Sequence, residues 1–204
     1  MTTSVILAVE DMLSEVIARR ILDHFGICVA QAIGHSGFGY LKKKAEALNK
    51  TALGFPVFML TDLDSPNRCP VEILESWVSA PRNPDFLLRV AVMEVESWVL
   101  ADRDAFAHFA GIGVAHVPSD PDAISDPKQR LVNLVRKSRN GRLRKDIVPA
   151  KGSTTTVGPA YNPQLSSFIE STWSPTSAAA NSTSLQRTMN ALDLFVASRR
   201  LTQQ

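Results

Sequence analysis

Short apolar runs alternate with amphipathic stretches through the first 110 residues, and that alternation predicts a parallel sheet built from βαβ units. Val5 to Val9, Ile27 to Ile33, Val57 to Thr61 and Phe86 to Val92 read as strands. Between the first two, Met12 to Phe25 places Leu13, Val16, Ile17 and Ile21 on one helical stripe. Gly37 to Asn49 predicts the second connecting helix, and Val71 to Val78, preceded by Pro66 and Pro70, a short third one. After the fourth strand, Glu94 to Phe109 reads as a single longer helix carrying Trp98, Leu100 and Phe106.

Beyond Gly111 the pattern changes. Pro118, Pro121 and Pro127 interrupt a polar stretch, and Asp126-Pro127 predicts a helix over Lys128 to Lys137 with proline in its first turn. Residues 138 to 164 read as loop-rich, Leu165 to Trp173 and Ser184 to Arg200 as helices, and Ser174 to Ser182 as a surface connection. This divides the chain into an α/β unit over 1–115 and a basic, mainly helical extension over 116–204 that packs on it.

Charge sharpens the division. Residues 1 to 127 carry 17 Asp and Glu against 10 Lys and Arg, whereas residues 128 to 204 carry 3 against 12. Nine of the cations fall between Lys128 and Lys151, opposed only by Asp146. Arg136, Lys137, Arg139, Arg142, Arg144, Lys145 and Lys151 are therefore candidates to grip a polyanion, with an acidic partner or the acidic half of the chain as the rival reading. The chain has no apolar run long enough to span a membrane, and its start lacks the basic segment of a secretory signal, so the expectation is a cytoplasmic protein. Cys28 and Cys69 have no metal-ligand or disulfide spacing and read as reduced thiols, Cys28 in the core.

The candidate chemistry sits at strand ends. Glu10 ends the first strand, and Asp62 and Asp64 end the third, pointing the same way if strand geometry persists. They meet if the sheet is ordered 2-1-3-4, which puts the topological switch point between strands one and three. Oxygen ligands of this kind suit Mg2+ or Mn2+, which fill their remaining positions with water and phosphate oxygens. The competing role for such acids is capping of the following helices.

The set Val9-Glu10, Asp62-Leu63-Asp64 and Glu94-Val95-Glu96-Ser97-Trp98-Val99-Leu100-Ala101-Asp102 resembles the TOPRIM domain of topoisomerases, primases and OLD-type nucleases. More closely, it is similar to a TOPRIM-like family of unknown function, of the DUF4276 type, with a Glu-x-Trp-x-Leu-Ala-Asp helix start. The resemblance covers residues 4 to 110, with looser likeness at Gly158 to Asn162 and Ser182 to Leu192. It implies a Rossmann-like TOPRIM sheet and a metal-dependent nuclease site of Glu10, Asp62, Asp64 and Glu96, in a protein that sometimes works beside an ATPase in defence against foreign DNA. It also implies a lysine at the metal site, for which Lys145 and Lys151 are the candidates. Asp11 stands where TOPRIM proteins usually carry glycine, and it repels a phosphate backbone that glycine admits. Neither Tyr40 nor Tyr161 sits in a strand-passage motif, so hydrolysis is the expected chemistry.

Other motifs read as structural. Gly34 to Gly39 matches neither phosphate-binding fingerprint and reads as a turn; the four histidines are too scattered for zinc; Trp98 reads as core; and Asp102 reads as a partner for a basic group. The functional expectation is a Mg2+- or Mn2+-dependent DNA phosphodiesterase. The alternatives are a non-catalytic DNA- or ATPase-binding subunit and, third, a small-molecule phosphatase.

Overall fold

The computed structural model describes residues 3–65, 69–79 and 81–202. Four parallel strands, β1 (Ser4–Val9), β2 (Cys28–Gly34), β3 (Val57–Asp62) and β4 (Phe86–Ala91), form one sheet in the order β2-β1-β3-β4. The order is the expected one, with β1 and β3 adjacent at the switch point.

Alternation along the strands divides the core into two layers. Val5, Leu7 and Val9 of β1, Phe58 and Leu60 of β3, and Leu87 and Ala91 of β4 enter one cluster. Ala8, Val57, Met59, Leu88 and Val90 enter the other. Every residue of β3 is buried, so its run reads as continuously apolar rather than alternating, as expected for a central parallel strand.

On the second layer lie α2 (Gly37–Thr51) and α3 (Pro70–Ser76), through Leu41, Ala45, Leu48 and Ile73. Pro66, named in the sequence reading, lies outside the described residues. The first layer is covered by α1 (Met12–His24), which buries Leu13, Ile17, Ile21 and Leu22, and by everything beyond β4. That second group comprises α4 (Glu96–Ala101), α5 (Arg103–Ala110), α6 (Pro127–Arg136), α7 (Gly141–Ile147), α8 (Tyr161–Ser171), α9 (Pro175–Ala179) and α10 (Thr183–Thr202). One hydrophobic cluster runs from Val5 through Leu131 and Ile147 to Phe195. Among the described residues, no helix is long and apolar enough to cross a membrane.

Four expectations are corrected. The helix expected over Glu94 to Phe109 breaks at Asp102, whose carboxylate accepts the Ser174 N–H at 2.8 Å. Asp102 thus has the structural role expected of it, but its partner is a backbone amide rather than a base. The expected loop over 138 to 164 contains α7, started by Asn140, which accepts from Arg142 and Leu143 N–H, and α8 begins at Tyr161. The connection over 174 to 182 contains α9, which buries Pro175 and Ala178. Cys28 is exposed because it starts β2, an edge strand. Trp98 is fully buried as expected; its indole N–H donates to Ser184 Oγ at 2.7 Å, and its carbonyl accepts from the Trp173 indole at 3.0 Å.

Candidate functional site: an acid cluster at the sheet switch point

The parallel register brings Glu10 and Asp62 together. Val9 pairs with Leu60, so β1 releases the chain beside the last two residues of β3. Glu10 Oε1 accepts the Thr61 hydroxyl and, at 2.8 Å, the backbone N–H of Asp62. On the other side, β3 pairs with β4 to the end, Asp62 opposite Ala91. The Asp62 carboxylate then accepts the Val95 N–H at 3.1 Å as the chain turns into α4. Glu96, in the first turn of α4, is 2% exposed.

These groups crowd one another. Burial raises the Asp62 pKa well above the ordinary carboxylate range, and the charges of Glu96, Glu10, Asp11 and Asp64 raise it further. Glu10 is also raised, mainly by burial, though its bonds from Thr61 and Asp62 oppose the shift. Burial pushes Glu96 up to about 7, with Lys128 pulling it back.

Strand geometry does not persist to Asp64. β3 ends at Asp62, and Asp64 turns into the left-handed region at φ 53°, its N–H donating to the Met93 carbonyl at 2.9 Å. Met93 is left-handed as well, at φ 63°. Two non-glycine residues in that region side by side represent stored backbone strain, which concentrates where function overrides local preference. Asp64 therefore reaches the cluster's field without sharing a strand face with Asp62.

The cation at the site was not named among the site residues from sequence. Lys128, at the start of α6, lies 3.3 Å from Glu94 Oε1 and 3.5 Å from Glu96 Oε1, and its backbone N–H donates to Glu94 Oε2 at 3.0 Å. Glu94 lies just before α4 and Glu96 in its first turn, and Lys128 bridges the two carboxylates from α6. Tyr161, the first residue of α8, donates its hydroxyl to Glu96 Oε1 at 2.9 Å, and burial with that neighbouring charge pushes its phenol pKa far upward. Neither residue had a sequence motif; the available signals were Asp126-Pro127, which places Lys128 in a first helical turn, and the Gly158 to Asn162 likeness.

Beside the cluster opens a cavity of about 330 Å³, lined by Asp64, Glu94, Ser125, Lys128, Gln129 and Thr156 among others. Apart from the Met93 thioether, the Lys128 ammonium and amide nitrogen, its polar lining is oxygen, a predominantly hard set suited to a divalent ion and phosphate. Among the described residues, no three His, Cys, Asp or Glu side chains are already gathered around one point. Other acids are taken up structurally. Asp11 caps α1 by accepting the Ser14 N–H at 2.8 Å, and Glu15 pairs with Arg19 at 2.7 Å and His35 at 2.5 Å. The turn that holds His35 starts at Gly34, where an added Cβ would lie 1.9 Å from the Val9 carbonyl oxygen, so the glycine permits β2 to approach β1.

The basic segment divides in two. Arg136, Lys137, Arg139, Arg142, Lys145 and Lys151 are exposed on α6, α7 and the loops after them, whereas Arg144 folds back onto the Ser138 carbonyl. Arg136, Arg144 and Lys145 line a second cavity of about 600 Å³, walled in part by Val148, Pro149 and Pro159. Lys137 and Arg139 line a third, of about 420 Å³, with His116. The lysine that touches the acid cluster is thus Lys128, with Lys145 in a separate cavity.

Residues 8–157 match the family model described as a domain of unknown function (DUF4276). The match takes in Glu10, Asp62, Asp64 and Glu96, Lys128 and the basic helices, and stops short of Tyr161. No curated protein and no solved structure matches the chain.

Proposed function

This chain belongs to the DUF4276 family of domains of unknown function, and we propose that it is a metal-dependent phosphodiesterase acting on DNA, related to the TOPRIM and OLD-type nucleases. The observation that carries the reading is the hydrogen bond from Asp62 N–H to Glu10, which joins two neighbouring strand ends into one buried, crowded carboxylate site. Ligands of open parallel sheets bind at this position.

Glu10, Asp62 and Asp64 would hold a magnesium or manganese ion, whose chemistry when bound is Lewis-acid stabilisation of phosphoryl oxygen. A cation there would offset the neighbouring carboxylate charges that add to burial in raising Asp62 and Glu10. Glu96, raised to about 7, is matched to accept a proton from an attacking water near neutral pH. Tyr161 keeps its proton and orients the Glu96 carboxylate. Lys128 offsets the charge of Glu94 and Glu96 and offers an ammonium to a phosphate in the adjoining cavity. Arg136, Lys137, Arg139, Arg142, Lys145 and Lys151 supply sequence-independent grip on the backbone.

The direct test is manganese-dependent cleavage of a labelled DNA by the parent and by Asp62→Asn. Equal rates from two folded proteins would refute the reading.

A second reading, a non-catalytic DNA- or ATPase-binding subunit, is favoured by Asp11, whose charge stands in the turn after β1 and whose side chain is committed to capping α1. Calorimetric titration separates the two: a pure adaptor has no carboxylate-dependent affinity for magnesium or manganese.

A further inference from the structure

The link after α6 carries two cations on either side of a buried residue. Lys137 and Arg139 are exposed, whereas Ser138 between them is buried and held by three contacts. Its hydroxyl accepts the Asn140 N–H at 3.0 Å, its N–H donates to the Val135 carbonyl at 2.9 Å, and its carbonyl accepts from the Arg144 guanidinium. The turn after α5 packs on the same residue. Gly111 ends α5 in the left-handed region at φ 62°, and a Cβ added there would lie 3.6 Å from Ser138 Oγ. Residues 111–116 and 137–139 thus meet at one corner of the fold.

That corner holds the cavity of about 420 Å³ lined by Lys137, Arg139 and His116 with Gly111, Ile112 and Gly113; among the described residues no acid lines it. Nor, among those residues, does any of its three basic side chains make an ion pair, although Lys128 and Arg142 of the same basic segment do. The His116 ring stands beside the Gly113 backbone, where an added Cβ would lie 3.9 Å from Cδ2. Two glycines leave this wall without side chains, so an anion can approach the main chain closely. The Lys137 and Arg139 charges, two residues apart and with no acid between them, repel each other, and a bound anion offsets that repulsion. The second cavity, of Arg136, Arg144 and Lys145, is walled by Val148, Pro149 and Pro159 and suits a small, strongly hydrated anion less well.

We propose that the cavity of Lys137, Arg139 and His116 is a phosphomonoester site, which seats the terminal phosphate of a DNA strand. A terminal phosphate carries a charge of about −1.5 to −2 near neutral pH and three free oxygens, more than a diester within the strand offers. A lysine, an arginine fork and an imidazole N–H match those oxygens. The choice of a strand end over free phosphate rests on the phosphodiesterase reading. Lys137 lies nine residues beyond Lys128 along α6, about 13 Å at 1.5 Å per residue, or about four phosphates of one duplex strand. The acid cluster would then cut a strand whose end is anchored a few nucleotides away.

The test measures binding in EDTA, so that nothing is cleaved, with the full chain and short oligodeoxynucleotides of one sequence that carry hydroxyls at both ends or a phosphate at one of them. A phosphorylated end should raise affinity about tenfold over the hydroxyl form. Lys137→Gln and Arg139→Gln, both at exposed positions, should melt like the parent and lose that advantage. Arg142→Gln, whose side chain lies outside the cavity, should weaken all the oligonucleotides alike. Inorganic phosphate should displace the phosphorylated strand and shift the amide resonances of Gly111 and Gly113 in the parent. Equal affinity for hydroxyl and phosphate ends, an end preference that survives in both cavity variants, or no response to phosphate would each overturn the proposal. Phosphate shifts at Gly111 and Gly113 without any end preference would show a free-anion site and overturn the strand-end assignment. A parent that prefers phosphorylated ends but never cleaves DNA with manganese would uphold this site and reject the phosphodiesterase reading.

Discussion

Glu10 Oε1 accepts the backbone N–H of Asp62 at 2.8 Å, so the acid that ends β1 is hydrogen-bonded to the residue that ends β3. The bond orients Glu10 against the strand, while the Asp62 carboxylate is held in turn by Val95 N–H. Replacing Asp62 by asparagine keeps a carbonyl oxygen for Val95 and removes the most crowded charge. The expected result is a gain of about 1–3 kcal/mol in urea unfolding at pH 8, with DNA cleavage reduced at least about a hundredfold. Stability and activity thus move in opposite directions, as at strained functional sites.

A divalent ion bound among these acids stabilises the folded chain by mass action. Manganese should raise the melting temperature of the parent in a concentration-dependent way and leave Glu10→Ala and Asp62→Asn unchanged. A parent protein indifferent to millimolar manganese and magnesium would count against the metal site.

Glu96 makes a pH prediction with a definite sign. Its folded pKa is about 7 against 4.5 for the ordinary group, so the folded chain holds a proton that the unfolded chain gives up. Stability is therefore lost as pH rises from about 4.5 through about 7, by a few kcal/mol. Glu96→Gln removes this loss, so the variant's advantage over the parent should widen between pH 5 and pH 8 in denaturant titrations. In catalysis the ionised form is needed, and the rate should climb through pH 7 in the parent alone.

Lys128→Met leaves Glu94 and Glu96 facing each other without their shared cation. Folding stability should fall by about 1–3 kcal/mol, and the acid limb of the pH–rate profile should move upward, because Lys128 is what pulls Glu96 down. A profile that keeps its position would show that Lys128 acts only in packing.

Reversing Arg136, Lys137 and Arg139 to glutamate should weaken DNA binding and flatten its salt dependence without altering unfolding, since all three are exposed. Fluorescence anisotropy at several salt concentrations reads both quantities.

Much of this fold is written in local pattern. Four apolar runs of strand length, separated by amphipathic stretches, determine a parallel sheet, because only crossover helices can connect such strands. The strand ends were equally legible: Glu10 and Asp62 follow apolar runs that must be buried, so the first acid after each run lies at the sheet's edge. Capping was legible too, as with Asp126-Pro127 before α6. Residues 138 to 182 were less readable, since α7 and α9 are short and are held by tertiary packing and single caps rather than by a long periodic stripe.

The primary structure by itself determined the sheet, its strand ends and the separation of an acidic half from a basic one, because periodicity and charge are local properties of a chain. Tertiary structure alone decided the partners. Lys128 reaches Glu96 from 32 residues away and Tyr161 from 65, because α6 and α8 fold back over the first layer of the core. Electrostatic coupling depends on distance in space and on burial, and neither is written in the order of residues along the chain.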